Sequence, residues 1–192
     1  MDIRNLVLQN RSYRRFDGAF PLSKDDLLAL TDLGRLSPNG GNMQALRYAL
    51  VCSAEGNAKV FDCLAWAGRL KEWPGPVQAE RPTGYIIMLA DGAHAATPGE
   101  DAGIAAQSIL LGAVARGLGG CIFKSVNRKK LAEALGLPEA LETILVIALG
   151  KPVEDVRLTA VGADGDIAYY RDAEGVHYVP KRALADVVIH CE

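Results

Sequence analysis

Apolar and polar positions along the chain follow helical spacing in some segments and form continuous apolar runs in others. Behind Asp2, a residue suited to cap a helix, the apolar residues Ile3, Leu6 and Val7 predict a short helix over residues 2–10. Ser23 caps a second predicted helix, KDDLLALTDLGR, which has acidic residues in its first turn and ends before Pro-Asn-Gly-Gly. Further helices are predicted over residues 57–70, 101–116 and 128–135.

Buried strands are predicted where the apolar runs are unbroken. These runs are residues 48–53, 85–90, 121–123 and 143–149. Near the carboxyl end, IAYYR and VHYVP are joined by Asp-Ala-Glu-Gly and predict a hairpin. The alternation of helices and strands predicts an α/β or α+β fold, and no break in composition divides residues 1–192, so we expect a single domain with the hairpin and tail at about 166–192.

The predicted helix over residues 101–116 is small or apolar at almost every position. Only Gln107 and Ser108 interrupt the pattern after its acidic start. A helix that is apolar all round has to be covered on all sides. In a chain of this size, a central position in a dimer provides that cover more readily than one subunit does, so the sequence predicts a homodimer.

Composition excludes several classes of function. The 192 residues are 49% hydrophobic, and 21 basic against 23 acidic side chains give a net charge of −2, which provides no field for nucleic acid or a membrane surface. No run of eighteen apolar residues occurs, and charges interrupt every stretch of the amino terminus that could serve as a signal core, which predicts a cytoplasmic protein. The four cysteines lack metal spacing, as do His94, His177 and His190, and no metal site is predicted.

The segment RSYRRF, residues 11–16, concentrates hydrogen-bond donors at the end of the first predicted helix. Three guanidinium groups and a hydroxyl suit a phosphate monoester, whose oxygens accept bidentate bonds from arginine and whose charge they offset. The same residues are also compatible with a solvated basic turn.

The segment SPNGGNMQALRY, residues 37–48, contains backbone and side-chain amides that could bind a ligand. Gly40 and Gly41 permit backbone conformations that bring N–H groups close to a ligand, and Asn42 and Gln44 carry side-chain amides that suit the edge of a heterocycle such as flavin. An ordinary turn between a helix and a strand is the alternative.

Three motifs in order resemble those of the nitroreductase-like flavoproteins. RSYRRF resembles the RRSxRxF signature of that family, SPNGGNMQALRY resembles its SPSSxNxQPW segment, and AAQSILLGAVARGLGGC resembles its central helix and glycine turn. The resemblance extends over nearly the whole chain. It implies an α+β fold, a three-layer α/β/α sandwich whose mixed central sheet is flanked by helices, with a long central helix in a homodimer. It also implies FMN as cofactor and NADH or NADPH as electron donor.

The resemblance implies roles for individual residues. Arg11, Ser12 and Arg14 would contact FMN, with the position of Arg14 left open between the phosphate and the flavin's pyrimidine edge, and Lys181 and Arg182 would close on the phosphate. For Lys181 and Arg182, an exposed helix start is the alternative.

The flavin ring is implied to meet two other segments. Asn42 would be the flavin-contacting amide, and the backbone amides of Lys124 and Ser125 would face the reactive nitrogen. The Lys124 side chain would either stabilise anionic reduced flavin or point to solvent. The residues implied to reach the flavin from the partner subunit, so that two copies share each active site, are Pro38, Asn39 and Gly40.

The sequence also departs from the family pattern. Asn10 stands where many members have an additional arginine, and Ala45 and Leu46 replace the usual Pro-Trp. The resemblance implies that nicotinamide donor and acceptor, a nitroaromatic or quinone, use the same flavin face in turn, in ping-pong fashion, with no catalytic side chain from the protein. A specialised flavoenzyme, of dehalogenase or dehydrogenase type, and a non-catalytic flavin-binding or sensing protein are the alternatives.

Overall fold

A computed structural model of the protein describes residues 2–68, 70, 72–91 and 98–191. Its residues form two compact units. The first contains residues 1–66 and 75–153, and the second contains residues 67–74 and 154–192.

The first unit contains five α-helices and four strands among its described residues. The helices are α1 (Ile3–Gln9), α2 (Lys24–Arg35), α3 (Ala54–Phe61), α4 (Pro98–Ala115) and α5 (Arg128–Leu135). The strands are β1 (Leu46–Val51), β2 (Gly84–Asp91), β3 (Gly119–Phe123) and β4 (Leu141–Gly150). The predicted caps form: Asp2 accepts a hydrogen bond from the Asn5 backbone nitrogen, and Ser23 forms a reciprocal capping box with Asp26.

The four strands form one sheet in the order β1-β2-β4-β3, and each neighbouring pair is antiparallel. Parallel pairing occurs at its β3 edge, where Ser12 bridges Gly120. Because successive side chains of a strand point to opposite faces, Ile86 and Met88 of β2 join one core, and Tyr85 and Ile87 join the other.

Helices cover both faces of this sheet. On one face, Leu27 and Leu30 of α2 pack with Ile109 of α4, and on the other, Val60 of α3 packs with Leu131 of α5. Both cores are buried, as expected where an apolar sheet lies between two helical layers. The predicted α+β fold in three layers is confirmed.

One predicted helix is wrong in its extent. We predicted a helix over residues 57–70, whereas α3 begins at Ala54, behind the N-cap Ser53, and ends at Phe61. The chain leaves the helix because the next residues pair with the segment that follows β3: Leu64 bridges Val126, and the Ala65 nitrogen donates to the Ser125 carbonyl at 3.0 Å. This pairing satisfies backbone groups that a longer helix would have satisfied internally.

The second unit contains a small sheet and a short helix. Its strands are β5 (Val156–Ala160), β6 (Tyr170–Arg171) and β7 (His177–Lys181), in the order β5-β7-β6, and its helix is α6 (Leu184–Val187). The antiparallel pair of β6 and β7 confirms the predicted hairpin, although β6 is only two residues long. Strand β5, which pairs parallel to β7, was not predicted.

Candidate functional site

The segment that carries the basic motif lies against the β3 edge of the sheet. Its Ser12 bridges Gly120, and the Tyr13 nitrogen donates to the Gly120 carbonyl at 3.1 Å. Just before it, Asn10 Nδ2 donates to Gln107 Oε1 of α4 at 3.2 Å. The approach is close because β3 begins with glycine: a Cβ on Gly119 would lie 2.5 Å from the Tyr13 ring. The glycine turn therefore serves to seat the basic motif.

Arg11 is a half-buried cation whose charge is only partly compensated. Its Nη2 donates to the Val7 carbonyl at 2.6 Å, while its Nε is buried and has no hydrogen-bond partner among the described residues. Burial lowers the pKa of the Arg11 guanidinium. A bound anion would stabilise the charge of a guanidinium held in this way. The exposed Ser12 hydroxyl, the next side chain in the sequence, can donate a further hydrogen bond.

The other two arginines of the motif differ from each other. Arg14 is half-buried, and its Nη1 donates to the Ser12 carbonyl at 3.1 Å, which draws its side chain back over the segment. Arg15 forms a bidentate ion pair with Glu80, with donor–acceptor distances of 2.7 and 2.6 Å. Arg15 therefore anchors the segment to Glu80, and Arg11 is the arginine of the three whose Nε lacks a partner among the described residues.

The glycine-rich loop is held by two side chains. Asn39 Oδ1 accepts a hydrogen bond of 3.0 Å from the Gln44 nitrogen, and the Gly40 nitrogen donates to Asp101 Oδ1 of α4 at 2.8 Å. Gly41, Asn42 and Gln44 all have positive φ, at 55°, 53° and 50°. The turn leaves the Asn42 side chain exposed. The role of Asp101 could not be predicted from the sequence, which places it only at the start of a predicted helix.

Pro38 and Asn39 line a cavity of about 150 Å³ between the end of α2 and the start of β1. Asp101 and Tyr48 also line it, and burial raises the pKa of the Tyr48 phenol. The exposed Pro38 side chain and the half-buried Asn39 side chain therefore lie on the wall of the same cavity.

Lys124 and Ser125 follow the last residue of β3 and are both exposed. The Lys124 carbonyl accepts from the Val126 nitrogen at 3.0 Å, and the Ser125 carbonyl accepts from the Ala65 nitrogen at 3.0 Å. The four residue-to-residue steps from Gly120 to Lys124 span roughly 13 Å of extended chain. Lys124 therefore follows the end of β3 that is opposite to the contact between the basic motif and Gly120.

Lys181 and Arg182 lie in the second unit. Lys181 is the last residue of β7 and pairs with Ala160, and its carbonyl accepts from the Val161 nitrogen at 3.1 Å. Both side chains are exposed. Neither residue lies in a helix, because Lys181 ends β7 and α6 begins only at Leu184.

An apolar groove runs along the face of α4 that the rest of the unit leaves open. We call it the α4 groove, and its lining residues are Leu6, Leu33, Leu36, Ser37, Pro38, Ser108, Leu111, Gly112 and Ala115. On the same helix Ile104 keeps 45% of its surface exposed, whereas Ala102, Ala106 and Ile109 are fully buried. Among the described residues, the helix that the sequence predicts to need cover on all sides is therefore covered on one side only.

Sequence comparison places these features in a known family. The profile described as the Nitroreductase family matches residues 7–151, which is more than half of the chain and includes the basic motif, the glycine-rich loop and α4. The chain belongs to the nitroreductase family. The resemblance carried by the three motifs is thereby confirmed.

Solved structures of nitroreductase-family proteins share the fold. An FMN-dependent nitroreductase from Clostridium difficile superimposes with a TM-score of 0.67 at 21% identity, covering 80% of this chain and 89% of the other. A nitroreductase-family protein from Streptococcus pneumoniae gives 0.67 at 15% identity, covering 88% and 100%. The NADPH:FMN oxidoreductase from Vibrio harveyi, solved in complex with NAD⁺, gives 0.63 at 22% identity, covering 84% and 74%.

Two further observations concern the described part of the chain alone. Within it, no helix is both long and apolar enough to cross a membrane. Nor do three or more His, Cys, Asp or Glu side chains group there as metal ligands would. His94 lies outside the described residues.

Proposed function

We propose that this member of the nitroreductase family is an FMN-dependent oxidoreductase that takes electrons from NADH or NADPH and passes them to small acceptors such as nitroaromatics or quinones. The observation that carries the proposal is Arg11, a half-buried cation with a buried Nε that lacks a partner among the described residues. The phosphate of FMN supplies the anion that this guanidinium needs. Arg11, Ser12 and Arg14 fit that group, and Lys181 and Arg182 are proposed to add positive charge to it.

The flavin ring is proposed to extend from the basic motif along β3 towards Lys124 and Ser125. The backbone amides of these two residues are then available at the reactive edge of the ring, and the Lys124 ammonium adds a positive charge that stabilises an anion there. Asn42, exposed on the loop held by Asp101, is proposed to contact the flavin through its amide. Bound FMN supplies the electron-transfer chemistry, so the chain's own residues bind, orient and shield it.

We also propose that the active protein is a homodimer whose second copy covers the α4 groove. Pro38 lines both this groove and the neighbouring 150 Å³ cavity, so a partner seated on the groove also reaches the loop that contains Asn39 and Gly40. This continuity supports the inference that Pro38, Asn39 and Gly40 complete the flavin site of the partner subunit. Burying an apolar helix face of this kind is typical of stable homodimers.

An anaerobic titration of the purified, FMN-loaded protein tests the proposal. We expect NADH or NADPH to bleach the flavin absorbance, and a quinone or nitroaromatic to restore it. Steady-state rates measured at several fixed acceptor concentrations should give parallel double-reciprocal lines, because donor and acceptor use one site in turn. Flavin that stays oxidised with both donors would contradict the proposal and favour a specialised flavoenzyme or a sensor.

A further inference from the structure

A second cavity lies between one face of α3 and the chain that leads into β2. Its volume is about 270 Å³, and it shares no lining residue with the cavity at Pro38 and Asn39. Asn57, Ala58 and Phe61 of α3 line one side, and Arg81 and Thr83 line the other. We call it the Arg81 cavity.

The Arg81 guanidinium is held in place by an aromatic ring. Its Cζ lies 3.7 Å from the centroid of the Phe61 ring, and Phe61 in turn packs on Trp66 with centroids 5.1 Å apart. This stacking fixes the plane of the guanidinium, which matters because its donors recognise a carboxylate in that plane.

Arg81 nevertheless has no acidic partner in the described part of the chain. The neighbouring carboxylate, Glu80, is occupied by both nitrogens of Arg15 at 2.6 and 2.7 Å. Arg81 Nε is buried without a hydrogen-bond partner among the described residues. A half-buried, oriented guanidinium of this kind stands where an anion would be stabilised.

Three other polar atoms around the same cavity also lack partners among the described residues. They are Asn57 Oδ1, Thr83 Oγ1 and the Tyr85 hydroxyl, and the side chains of Thr83 and Tyr85 are at least nine-tenths buried. Asn57 Nδ2 donates to the Thr83 carbonyl at 2.9 Å, which identifies Oδ1 as the free acceptor. Buried polar atoms are normally satisfied, so four such atoms at one cavity indicate a ligand.

These groups specify the chemistry of that ligand. The Arg81 guanidinium pairs with a carboxylate, and Asn57 Oδ1 accepts a hydrogen bond from a donor on the ligand. The hydroxyls of Thr83 and Tyr85 can either donate or accept a hydrogen bond. A volume of about 270 Å³ limits the ligand to a small molecule. We propose that the Arg81 cavity binds a small carboxylate that also carries a hydroxyl or amino group, with the carboxylate on Arg81 and the donor directed towards Asn57. The site is independent of the proposed flavin chemistry.

Nuclear magnetic resonance on the FMN-loaded protein tests the site directly. The probe is lactate, and the neutral control is lactamide, which keeps the hydroxyl and lacks the charge. We expect lactate to shift the Arg81 Nε–H signal and the Thr83 amide signal saturably, and lactamide to leave them in place. Arg81→Gln should weaken lactate binding at least tenfold, whereas Arg116→Gln, which alters an exposed arginine on another surface, should not change it.

A second variant covers the case in which Arg81→Gln does not fold. Ala58 is exposed on α3 and lines the cavity, so Ala58→Phe fills the space without removing a polar group, and it should abolish lactate binding with FMN content unchanged. Equal shifts with phosphate at the same ionic strength would mean an adventitious ion only. A lack of saturation up to about 50 mM lactate would mean that ordered water satisfies these atoms. Either result would overturn the site and leave the flavin proposal standing.

Discussion

The Tyr13 backbone nitrogen donates a hydrogen bond of 3.1 Å to the carbonyl of Gly120, and this contact fixes the residues on either side of Tyr13 against the edge of the sheet. Ser12 and Arg14 are those residues, and Arg14 folds back to donate to the Ser12 carbonyl at 3.1 Å. The basic motif is therefore held at the sheet edge by backbone contacts as well as by the ion pair of Arg15 with Glu80.

Replacing Arg11 should remove cofactor without unfolding the protein. A hydrogen bond to a charged group contributes roughly 1.5–3 kcal/mol, so Arg11→Ala should weaken FMN binding at least about tenfold. The measurement is flavin fluorescence during titration of apoprotein with FMN, with circular dichroism to verify folding. Arg4→Ala, which removes an exposed arginine from α1, is the control and should bind FMN as the wild type does. Full FMN affinity in Arg11→Ala would remove the phosphate assignment.

Enlarging Gly119 should disturb the same site through the backbone. The added Cβ in Gly119→Ala would lie 2.5 Å from the Tyr13 ring and 2.7 Å from Pro152, so Tyr13 and the residues beside it have to move. We expect a loss of about 1–3 kcal/mol in the free energy of unfolding of the apoprotein, together with weaker FMN binding. Urea unfolding and FMN titration check the two effects. Gly99→Ala, where a Cβ meets no atom of the described residues within 4 Å, should lower neither quantity.

Much of the first unit could be predicted from sequence because local pattern and tertiary packing agree there. Asp2 and Ser23 cap their helices as expected, and β2 is apolar from Tyr85 to Ala90 because both of its faces are buried there. The extent of α3 could not be predicted, because the pairing of Leu64 with Val126 joins residues far apart in the chain. Intrinsic helix propensity carries no information about that contact.

The candidate site could be predicted less completely than the fold. RSYRRF identifies a donor cluster, but only the structure shows that Arg15 is paired with Glu80. Asp101 holds Gly40 through a contact of 2.8 Å across 61 residues, which no local motif encodes. Strand β5, by contrast, carries an alternation of Val156, Leu158 and Ala160 that is typical of a half-buried strand.

The hydrogen bond between Asp101 and Gly40 should affect FMN binding through the loop as well as the stability of the fold. Asp101→Ala leaves the Gly40 N–H without its acceptor and should lower the free energy of unfolding by about 1–3 kcal/mol. Asp101→Asn retains an oxygen that can accept and is the matched control, with a smaller loss. If Asn39 and Gly40 contribute to the flavin site, Asp101→Ala should also raise the dissociation constant for FMN. Equal FMN binding in both variants would show that the loop does not contribute to the flavin site.

A charge placed in the α4 groove should separate the proposed dimer. Ala115 is exposed at the end of α4 and lines the groove, so Ala115→Glu buries a carboxylate when a second copy docks there. We expect size-exclusion chromatography with light scattering to show a dimer for the wild type and a monomer with reduced FMN content for the variant. Ala140→Glu places the same charge at an exposed turn before β4 and should remain dimeric. A monomeric wild type would contradict the shared site.

The buried hydroxyl of Tyr85 should make the protein sensitive to alkaline pH. Burial raises the pKa of this phenol above its ordinary value of 10.0. The unfolded chain releases the proton near that pH while the folded chain retains it, so the contribution to stability is complete below pH 10 and is lost as the pH rises above it.

Urea unfolding at a series of pH values should therefore show a free energy of unfolding that falls above about pH 10, by up to about 1.4 kcal/mol per pH unit for this group. Tyr85→Phe should fall less steeply, and because the hydroxyl has no partner among the described residues, the substitution should cost less than about 1 kcal/mol at neutral pH. Tyr170→Phe changes a phenol that is 49% exposed and should keep the wild-type slope. Equal slopes in wild type and Tyr85→Phe would show that Tyr85 is not the group responsible.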